Sequence, residues 1–490
     1  MKNETNSLRH SSTTTKLFLC ATLLLFLLIS VGSVHADSTQ SAVVAAAASD
    51  YSSYGISAIT VDPKAGPRIA VNNLLAGSNG STVKAFGQYY YRIEQFQADN
   101  VTKVDISAPN TPIWQYSTQD TGEANSSNPY DLVFVSSTKA YLLRYGSTKA
   151  WIVNPSATSE AGFKIGVLDL SAYTDADGAP DMCCGVIANG KLFIVMQRMV
   201  DWCPIEIAYV AVFDTATDTE IKTGMGTGSM IGIPLTIKNP GSIQYMAENN
   251  RIYVQGVGSY PGGSCDPVYE YTGGIESINP VTYASSTVLD DGDATTHPYG
   301  AIAGMLIASS TKGYFVGYAG WGDNTLYTFN PTTGVVSGAV TGVQNINISG
   351  MNSGTYLDKN AMMWVCDSTN AQIKIVDTTN NTVNENVATN LNPQKVAFCT
   401  KGTPFAPTLG ATISGNNVMA HWNTVSGAEG YYLWASEPST GWTALWDWGT
   451  STSVSATVAA GSSYYVSVIP YNADGSGAAS NVVQLKTDAE

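Results

Sequence analysis

Histidine is scarce in this sequence, and charged residues are few. Charged residues make up 12% of the 490 residues, and two of the four histidines, His297 and His421, lie beyond residue 36. No serine in a sharp nucleophile turn accompanies His297. His421 stands beside Trp422 in a predicted strand. We therefore expect His297 to be a structural histidine, and the sequence offers little for hydrolysis by a Ser–His pair.

Positive charge is also in short supply. Lys and Arg together number 23 against 38 Asp and Glu, which gives a net charge of -15. Such a chain repels the phosphates of nucleic acids and the head groups of anionic membranes. We therefore expect neither nucleic acid nor an anionic membrane surface as a partner.

Long apolar runs are absent except near the amino terminus. The basic residues Lys2, Arg9 and Lys16 precede a mostly apolar run over 17–31, and Val34-His35-Ala36 follows it. This order predicts a signal peptide over residues 1–36, with cleavage after Ala36. The run of 15 residues is short for a membrane span, so an uncleaved anchor is the weaker alternative. We expect a secreted, periplasmic or cell-surface protein with no integral membrane segment after cleavage.

A short β-rich run ending in a turn opened by Asp or Asn occurs seven times. The turns recur every 43 to 65 residues, and the sequence is rich in Gly and Tyr. A strand and turn repeated at this period is typical of a β-propeller. The seven copies lie at 59–63, 102–105, 151–155, 211–215, 277–280, 327–331 and 374–378.

Several copies share a second feature, a hairpin turn between two strands. The turn Ser-Ser-Thr-Lys at 136–139 recurs at 309–312, which indicates duplication. The last copy of the first strand, 393–398, has no repeat after it, and the turn at Asp62 has no first strand before it. We infer that the two ends complete one composite blade, which removes exposed sheet edges. Seven blades are predicted, or six if the segment around Asp62 lies outside the ring.

The pattern changes at Pro404. The segments 418–422, 427–433, 464–468 and 471–477 read as short strands with an early Trp, a central Tyr and an Asn-to-Gly hairpin loop. This region resembles a fibronectin type III domain, which implies an antiparallel β-sandwich. The predicted organisation is a signal peptide at 1–36, a linker at 37–53, a β-propeller at 54–402 and the sandwich at 403–490. The fold class is therefore all-β.

The repeat region resembles the YVTN and quinoprotein-like propeller repeats. That resemblance implies the fold and names no ligand, because propellers carry enzymes, binding proteins and scaffolds alike. In some quinoprotein propellers adjacent cysteines lie beside the cofactor, near bound calcium. The pair Cys183-Cys184 fits that implication, but the chain has no regular set of the Trp-containing repeats of that family.

Six cysteines remain after the predicted cleavage. An even count in an exported chain favours disulfides, and no cysteine spacing of a zinc or haem site occurs. Cys366 and Cys399 stand in predicted strands near the ring closure, and we expect them to pair. The other four are expected to pair among themselves in an undetermined arrangement. The six are Cys183, Cys184, Cys203, Cys265, Cys366 and Cys399.

A group of carboxylates is the candidate metal site. Asp175, Asp177 and Asp181 surround a turn at Gly178, and closely spaced carboxylates can supply oxygen ligands to Ca²⁺. The alternative is a solvated loop, since Asp-rich turns are common in blade connections. A weaker cluster of the same kind, at 290–293, contains three Asp residues.

Tryptophans crowd one stretch of the sandwich and form the candidate binding surface. Trp446 and Trp448 share a face if their segment is a strand, and Trp442 lies just before them. Exposed rings could stack on a glycan or anchor a protein partner. The alternative is that they cover the core or the domain junction, and we expect at least one of Trp446 and Trp448 to be buried.

These observations favour an exported, non-catalytic binding or scaffold protein, with no assigned catalytic residue. The alternative is an extracytoplasmic enzyme, either a calcium-dependent hydrolase or lactonase or a quinone-dependent dehydrogenase. Carboxylates that converge on a metal in the channel would favour the enzyme. A channel lined by small and apolar residues would favour binding.

Overall fold

The computed structural model describes residues 39–77, 80–351, 356–402, 404, 406–425, 428–472 and 475–487. The predicted signal peptide and its cleavage point after Ala36 lie outside these residues. Within them, seven antiparallel sheets of four strands each follow one another around a ring. This is a seven-bladed β-propeller, which confirms the predicted fold class.

The blades are numbered from the one that closes the ring. Blade 1 consists of Asn392–Lys401, Thr39–Ala47, Tyr54–Thr60 and Ala70–Gly77. Blade 2 consists of Ser81–Phe86, Tyr89–Glu94, Asn100–Asp105 and Pro112–Ser117. Blade 3 consists of Pro129–Ser136, Lys139–Arg144, Lys149–Val153 and Lys164–Asp169, with short 3-10 helices at Glu160–Gly162 and Ser171–Tyr173.

The remaining four blades keep the same strand order. Blade 4 consists of Met182–Ala188, Lys191–Met196, Tyr209–Asp214 and Ile233–Pro234. Blade 5 consists of Pro240–Met246, Arg251–Gly256, Gly274–Ile278 and Ser285–Leu289. Blade 6 consists of Ala301–Ser309, Lys312–Gly320, Asp323–Phe329 and Val336–Ala339. Blade 7 consists of Ile348–Ser349, Met362–Asp367, Gln372–Asp377 and Thr382–Ala388.

Ring closure joins the two ends of the repeat region, as predicted. Thr39–Ala47 pairs with Asn392–Lys401 on one side and with Tyr54–Thr60 on the other. The prediction of a linker over 37–53 is therefore wrong for 39–47. This strand is buried on both faces, from Ala42 to Ala47, so it carries small apolar residues throughout and shows no alternation.

The repeated turns have a structural role between blades. In blade 4 the Asp214 carboxylate accepts N–H bonds from Ala216 and Thr217 at 2.9 Å, which fixes the turn. Lys139 of blade 3 reaches this turn and donates to the Thr215 carbonyl at 2.7 Å. Lys312, the second copy of that lysine, makes the equivalent bond to the Thr378 carbonyl. Each copy of the hairpin therefore links its own blade to the next blade of the ring through the same lysine contact.

Apolar layers between adjacent blades form the core. Cys366 packs in the layer shared by blades 6, 7 and 1, together with Trp364 and Val396. Cys399 packs on the opposite side of blade 1, in the layer with Val43. Both are buried free cysteines, so the predicted Cys366–Cys399 disulfide is wrong. They do lie on adjacent blades, but their side chains point into different layers.

A β-sandwich follows the propeller. One sheet consists of Leu409–Ser414, Asn417–Trp422 and Ser453–Thr457. The other consists of Trp442–Asp447, Gly430–Glu437, Ser463–Asn472 and Gly475–Ser476, with Val483–Lys486 paired to Ser463–Asn472. Trp422 and Tyr431 lie in the core between the sheets. The sandwich contacts the propeller where the Asn250 amide donates to the Tyr465 hydroxyl at 2.7 Å.

Candidate functional site

A cavity of about 340 Å³ lies where the inner strands of the propeller converge. The first strand of each blade is the inner one, since the first strands of neighbouring blades pack against each other. Five of these strands, from blades 1 to 5, contribute to the cavity wall, together with residues of the adjoining loops and Gly350 of blade 7. The cavity is therefore a property of the closed ring.

Hydroxyl groups, amides and glycines dominate the cavity wall. Three glutamines and three tyrosines provide donors and acceptors, and three glycines keep the backbone close to the space. The wall residues are Tyr51, Tyr54, Gly80, Ser81, Thr82, Gln95, Tyr130, Cys183, Gln197, Gly241, Gly350, Gln394 and Lys395.

Ser81 carries a polar atom that the protein leaves unsatisfied. The residue is 7% exposed, and its Oγ has no hydrogen-bond partner among the described residues. A buried hydroxyl without a partner costs about 1–3 kcal/mol relative to a satisfied one. By contrast Gln197, across the cavity, donates to Asn239 at 2.8 Å and to the Pro240 carbonyl at 2.9 Å. The wall thus combines a fixed amide with an available hydroxyl.

One lysine is buried in the cavity wall. Lys395 is 4% exposed, and its ammonium lies 5.6 Å from the centre of the Tyr356 ring. Burial lowers the pKa of Lys395 to about 7, and the charge of Lys84 adds to the lowering. The ammonium of Lys84 itself pairs with the Asp131 carboxylate at 2.7 Å.

Asp131 connects three inner strands. Its carboxylate accepts N–H bonds from Leu132 at 2.8 Å and from Gly185 at 3.1 Å, in addition to the ion pair with Lys84. The residue is fully buried, and a buried carboxylate is tolerated when it is paired and hydrogen-bonded in this way. Asp131 therefore joins blades 2, 3 and 4 beside the cavity.

Two adjacent cysteines lie at the same wall. A register shift between Met182 and Cys184 leaves Cys183 as the extra residue of a β-bulge. The Sγ atoms of Cys183 and Cys184 are 3.3 Å apart, and Cys183 also approaches the Pro240 carbonyl at 3.2 Å. Both are free and buried, so the expected disulfides at these positions are not formed. Burial raises the pKa of the Cys183 thiol well above its ordinary value.

The remaining pair of cysteines is bonded. Cys203 and Cys265 form a disulfide between the long connections that follow the second strands of blades 4 and 5. This disulfide confirms part of the prediction that Cys183, Cys184, Cys203 and Cys265 pair among themselves. The bond forms one wall of a smaller cavity of about 200 Å³, beside Trp202 and Tyr260.

The predicted metal ligands lie close together. One oxygen from each of Asp175, Asp177 and Asp181 falls within 4.8 Å of the others, and the cluster follows the 3-10 helix Ser171–Tyr173. Burial raises the pKa of Asp181 to about 7, and burial together with the neighbouring Asp177 carboxyl group raises the pKa of Asp175 to about 6. Asp181 also accepts the Met199 N–H at 2.6 Å. The grouping can supply hard oxygen ligands, and its residues lie outside the cavity wall.

The second acidic cluster is arranged differently. Asp291 is buried and accepts the Gly273 N–H at 3.2 Å, whereas Asp293 holds its own turn through the Thr295 N–H at 2.7 Å. His297 follows, stacked on Tyr271 with ring centres 4.0 Å apart. Its Nδ1 lies 2.8 Å from the Asp293 carbonyl. These contacts give His297 a role in loop packing.

The tryptophans divide into exposed and packed rings. Trp442 and Trp446 lie on an edge strand, 42% and 37% exposed, with ring centres 5.8 Å apart. Trp448 follows the end of that strand, so Trp446 and Trp448 do not share a strand face. Trp448 packs against the sandwich core and donates its indole N–H to the Ser453 carbonyl at 3.0 Å.

Sequence reasoning did not identify the cavity. Ser81, Gln197 and Lys395 lie in three different blades, and no local pattern joins them. Lys395 directly precedes the apolar run 396–399 of its inner strand, and this position is the only local signal that the sequence offers for it.

The chain is thus a β-propeller protein with a polar central cavity and a fibronectin type III-like sandwich. No helix in the described part of the chain is long and apolar enough to cross a membrane. No family model matches the sequence, and no curated protein matches it.

Solved structures show distant likeness. A "putative 6-phosphogluconolactonase" from Bacteroides uniformis is 11% identical with a TM-score of 0.49, over 74% of this chain and 99% of that one. Apo AztD from Citrobacter koseri is 11% identical with a TM-score of 0.40, over 91% and 98%. The FN5 domain of Drosophila Lar is 20% identical with a TM-score of 0.16, over 18% and 100%.

Proposed function

We propose that this chain is an exported, non-catalytic binding protein whose central cavity takes a small, hydroxyl-rich ligand. The observation that carries the proposal is the cavity wall, in which tyrosines, glutamines and the unsatisfied Ser81 hydroxyl surround about 340 Å³. Binding pockets for small molecules begin at about 300 Å³, and polar groups on their walls fix the orientation of the ligand. The sandwich serves as a spacer or adhesion module.

Export is supported by two features that are independent of the cavity. The amino-terminal apolar run has the order of a signal peptide. The Cys203–Cys265 disulfide joins two loops and is typical of an oxidising compartment.

The enzyme alternative is less well supported. Its best candidates for metal ligands, Asp175, Asp177 and Asp181, lie in a loop outside the cavity wall. We propose that this cluster binds calcium as a structural ion that holds the connection between blades 3 and 4.

Equilibrium binding of neutral monosaccharides, glucose, galactose and mannose, tests the cavity proposal. Changing Ser81 to Ala should weaken binding by about threefold to tenfold, because a neutral hydrogen bond is lost while no bond within the protein is broken. Ser127→Ala is the matched control, since its buried hydroxyl bonds Thr118 at 2.7 Å, away from the cavity wall. That variant should lose stability and keep its affinity.

A further inference from the structure

A second cavity, the loop cavity, lies between two long connections of the propeller. Its volume is about 200 Å³, and the connections are those that follow the second strands of blades 4 and 5. The Cys203–Cys265 disulfide joins the two connections at the cavity wall. Among the described residues, the loop cavity and the central cavity have no wall residue in common, so the loop cavity is a separate site.

Ser259 lines the loop cavity and carries a hydroxyl that the protein leaves without a partner. The residue is 6% exposed, and its Oγ forms no hydrogen bond within the described part of the chain. By contrast the Asn239 side chain, in the same wall, donates to the Gly258 carbonyl at 2.9 Å and accepts from Gln197 at 2.8 Å. Buried polar groups normally have partners, so the Ser259 hydroxyl is available to a group that enters the cavity.

Trp202 occupies a turn position that is unfavourable for a bulky residue. Val200 and Cys203 exchange backbone hydrogen bonds of 3.0 and 2.9 Å across the two-residue turn Asp201-Trp202. Both turn residues are left-handed, with φ of +50 and +63, a conformation that favours Asn and Gly. Trp202 is 75% exposed, so burial of its side chain does not compensate for the strain. A ligand that contacts the indole ring accounts for a tryptophan at this position.

The composition of the wall limits the class of ligand. The rings of Trp202 and Tyr260 provide apolar surface, and none of the described wall residues carries an aliphatic side chain. Asp201 is the one charged residue among them, and it disfavours an anion, as does the net charge of -15. A pocket for a complete small molecule needs about 300 Å³ or more, so the loop cavity is suited to one ring of a larger molecule. That ring should have an apolar face and hydroxyl groups at its edge.

We propose that the loop cavity binds one sugar ring of a neutral oligosaccharide. The C–H groups on one face of the sugar stack on the electron-rich face of the Trp202 ring, and a sugar hydroxyl bonds the Ser259 Oγ. The rest of the oligosaccharide lies outside the cavity, on the connections of blades 4 and 5. This inference adds a binding site to the proposed function and does not depend on what occupies the central cavity.

Titration calorimetry of the wild-type protein with cellohexaose, xylohexaose and mannohexaose tests the proposal. We expect at least one of these hexaoses to bind with a Kd below about 1 mM. A trilysine peptide is titrated in parallel, because an exposed indole beside a carboxylate is also able to hold an ammonium. Binding of the peptide without binding of any hexaose overturns the proposal, and so does binding of neither.

Trp202→Ala should weaken hexaose binding by at least about tenfold and leave the Tm nearly unchanged, because the ring is exposed. Trp321→Ala is the matched control. Trp321 is also 75% exposed and lies in the short turn between Lys312–Gly320 and Asp323–Phe329 of blade 6, outside the cavity wall. The control should keep its affinity, and equal losses in the two variants would overturn the proposal.

Ser259→Ala should weaken hexaose binding by about threefold to tenfold without lowering the Tm, because the hydroxyl makes no bond within the described chain. Ser81→Ala, in the central cavity, should leave the hexaose affinity unchanged. A loss in Ser81→Ala with none in Ser259→Ala would place the oligosaccharide in the central cavity. That result overturns this inference and leaves the proposed function standing.

Discussion

The Sγ atoms of Cys183 and Cys184 lie 3.3 Å apart on the inner strand of blade 4, at the wall of the central cavity. Adjacent residues of a regular strand point to opposite faces, so this approach depends on the β-bulge at Cys183. The two thiols remain reduced, whereas Cys203 and Cys265 are joined.

We predict four thiols in the mature chain. Titration with a thiol reagent after denaturation should give the four free cysteines, because one disulfide accounts for the other two. The native protein should react slowly, since all four are buried and burial raises the pKa of Cys183, Cys366 and Cys399. A count of two or none in the denatured protein would contradict the structure.

Calcium should stabilise the protein more at about pH 8 than at about pH 5. Burial raises the folded-state pKa of Asp181 to about 7 and contributes to a pKa of about 6 for Asp175. The unfolded values are about 3.9, so folding takes up protons, and the stability from these groups falls as pH rises from about 4 to about 7. Bound calcium competes with protons for these carboxylates. At high pH, where the carboxylates are ionised, calcium offsets their repulsion and restores the lost stability.

Calorimetric Tm values with and without calcium measure this dependence. Asp177→Asn should remove the calcium increment, and Asp290→Asn, an exposed residue of the second acidic cluster, should leave it intact. An increment that survives Asp177→Asn would place the ion elsewhere.

Gly350→Ala should be far more damaging than Gly322→Ala, although both glycines have a φ of +78. A side chain in this conformation costs about 1–2 kcal/mol, and this term is common to both variants. A Cβ on Gly350 would lie 1.8 Å from the Gln394 carbonyl oxygen, whereas one on Gly322 meets nothing within 4 Å. Overpacking adds about 1–3 kcal/mol or more at Gly350 alone. Denaturant unfolding gives both values, and equal losses would argue against the close approach of blades 7 and 1.

Removing Trp442 and Trp446 together should cost less stability than removing Trp448. The first two rings are substantially exposed, whereas Trp448 packs on the sandwich core and donates a hydrogen bond. We expect Trp448→Ala to cost about 2–4 kcal/mol of unfolding free energy. Thermal unfolding of the variants tests this order, and a larger loss in the double variant would show that the exposed pair supports the core.

The fold followed from the sequence because turns and strands are local features. Asp214 and Asn330 open their turns through their own side chains, so each repeat carries its own signal. The strand at Thr39–Ala47 escaped notice because a strand covered on both faces needs no polar alternation. The prediction that the two ends of the repeat region close the ring already implied that an amino-terminal segment pairs with the last strand.

The cavity could not be predicted in the same way. Its wall combines residues from strands that meet only through the ring, and Ser81 and Lys395 occur in unrelated local contexts. The acidic cluster was accessible because Asp175, Asp177 and Asp181 lie within one loop. Which cysteines can pair depends on the apolar layer that each side chain faces. A β-bulge shifts the alternation of side chains between the two faces of a strand, and the sequence does not show where the bulge lies.

The composite blade also governs when the protein can acquire its structure. Val43 pairs with Ala397, so the first blade cannot be completed until nearly the entire repeat region has left the ribosome. Such a remote pairing makes closure a late and slow event. Until then the strand Thr39–Ala47 can pair with Tyr54–Thr60 on one side only, and its other edge lacks the partner Asn392–Lys401. If cleavage occurs near Ala36 as predicted, a cut beyond Thr39 would shorten that strand and weaken the closure of the ring.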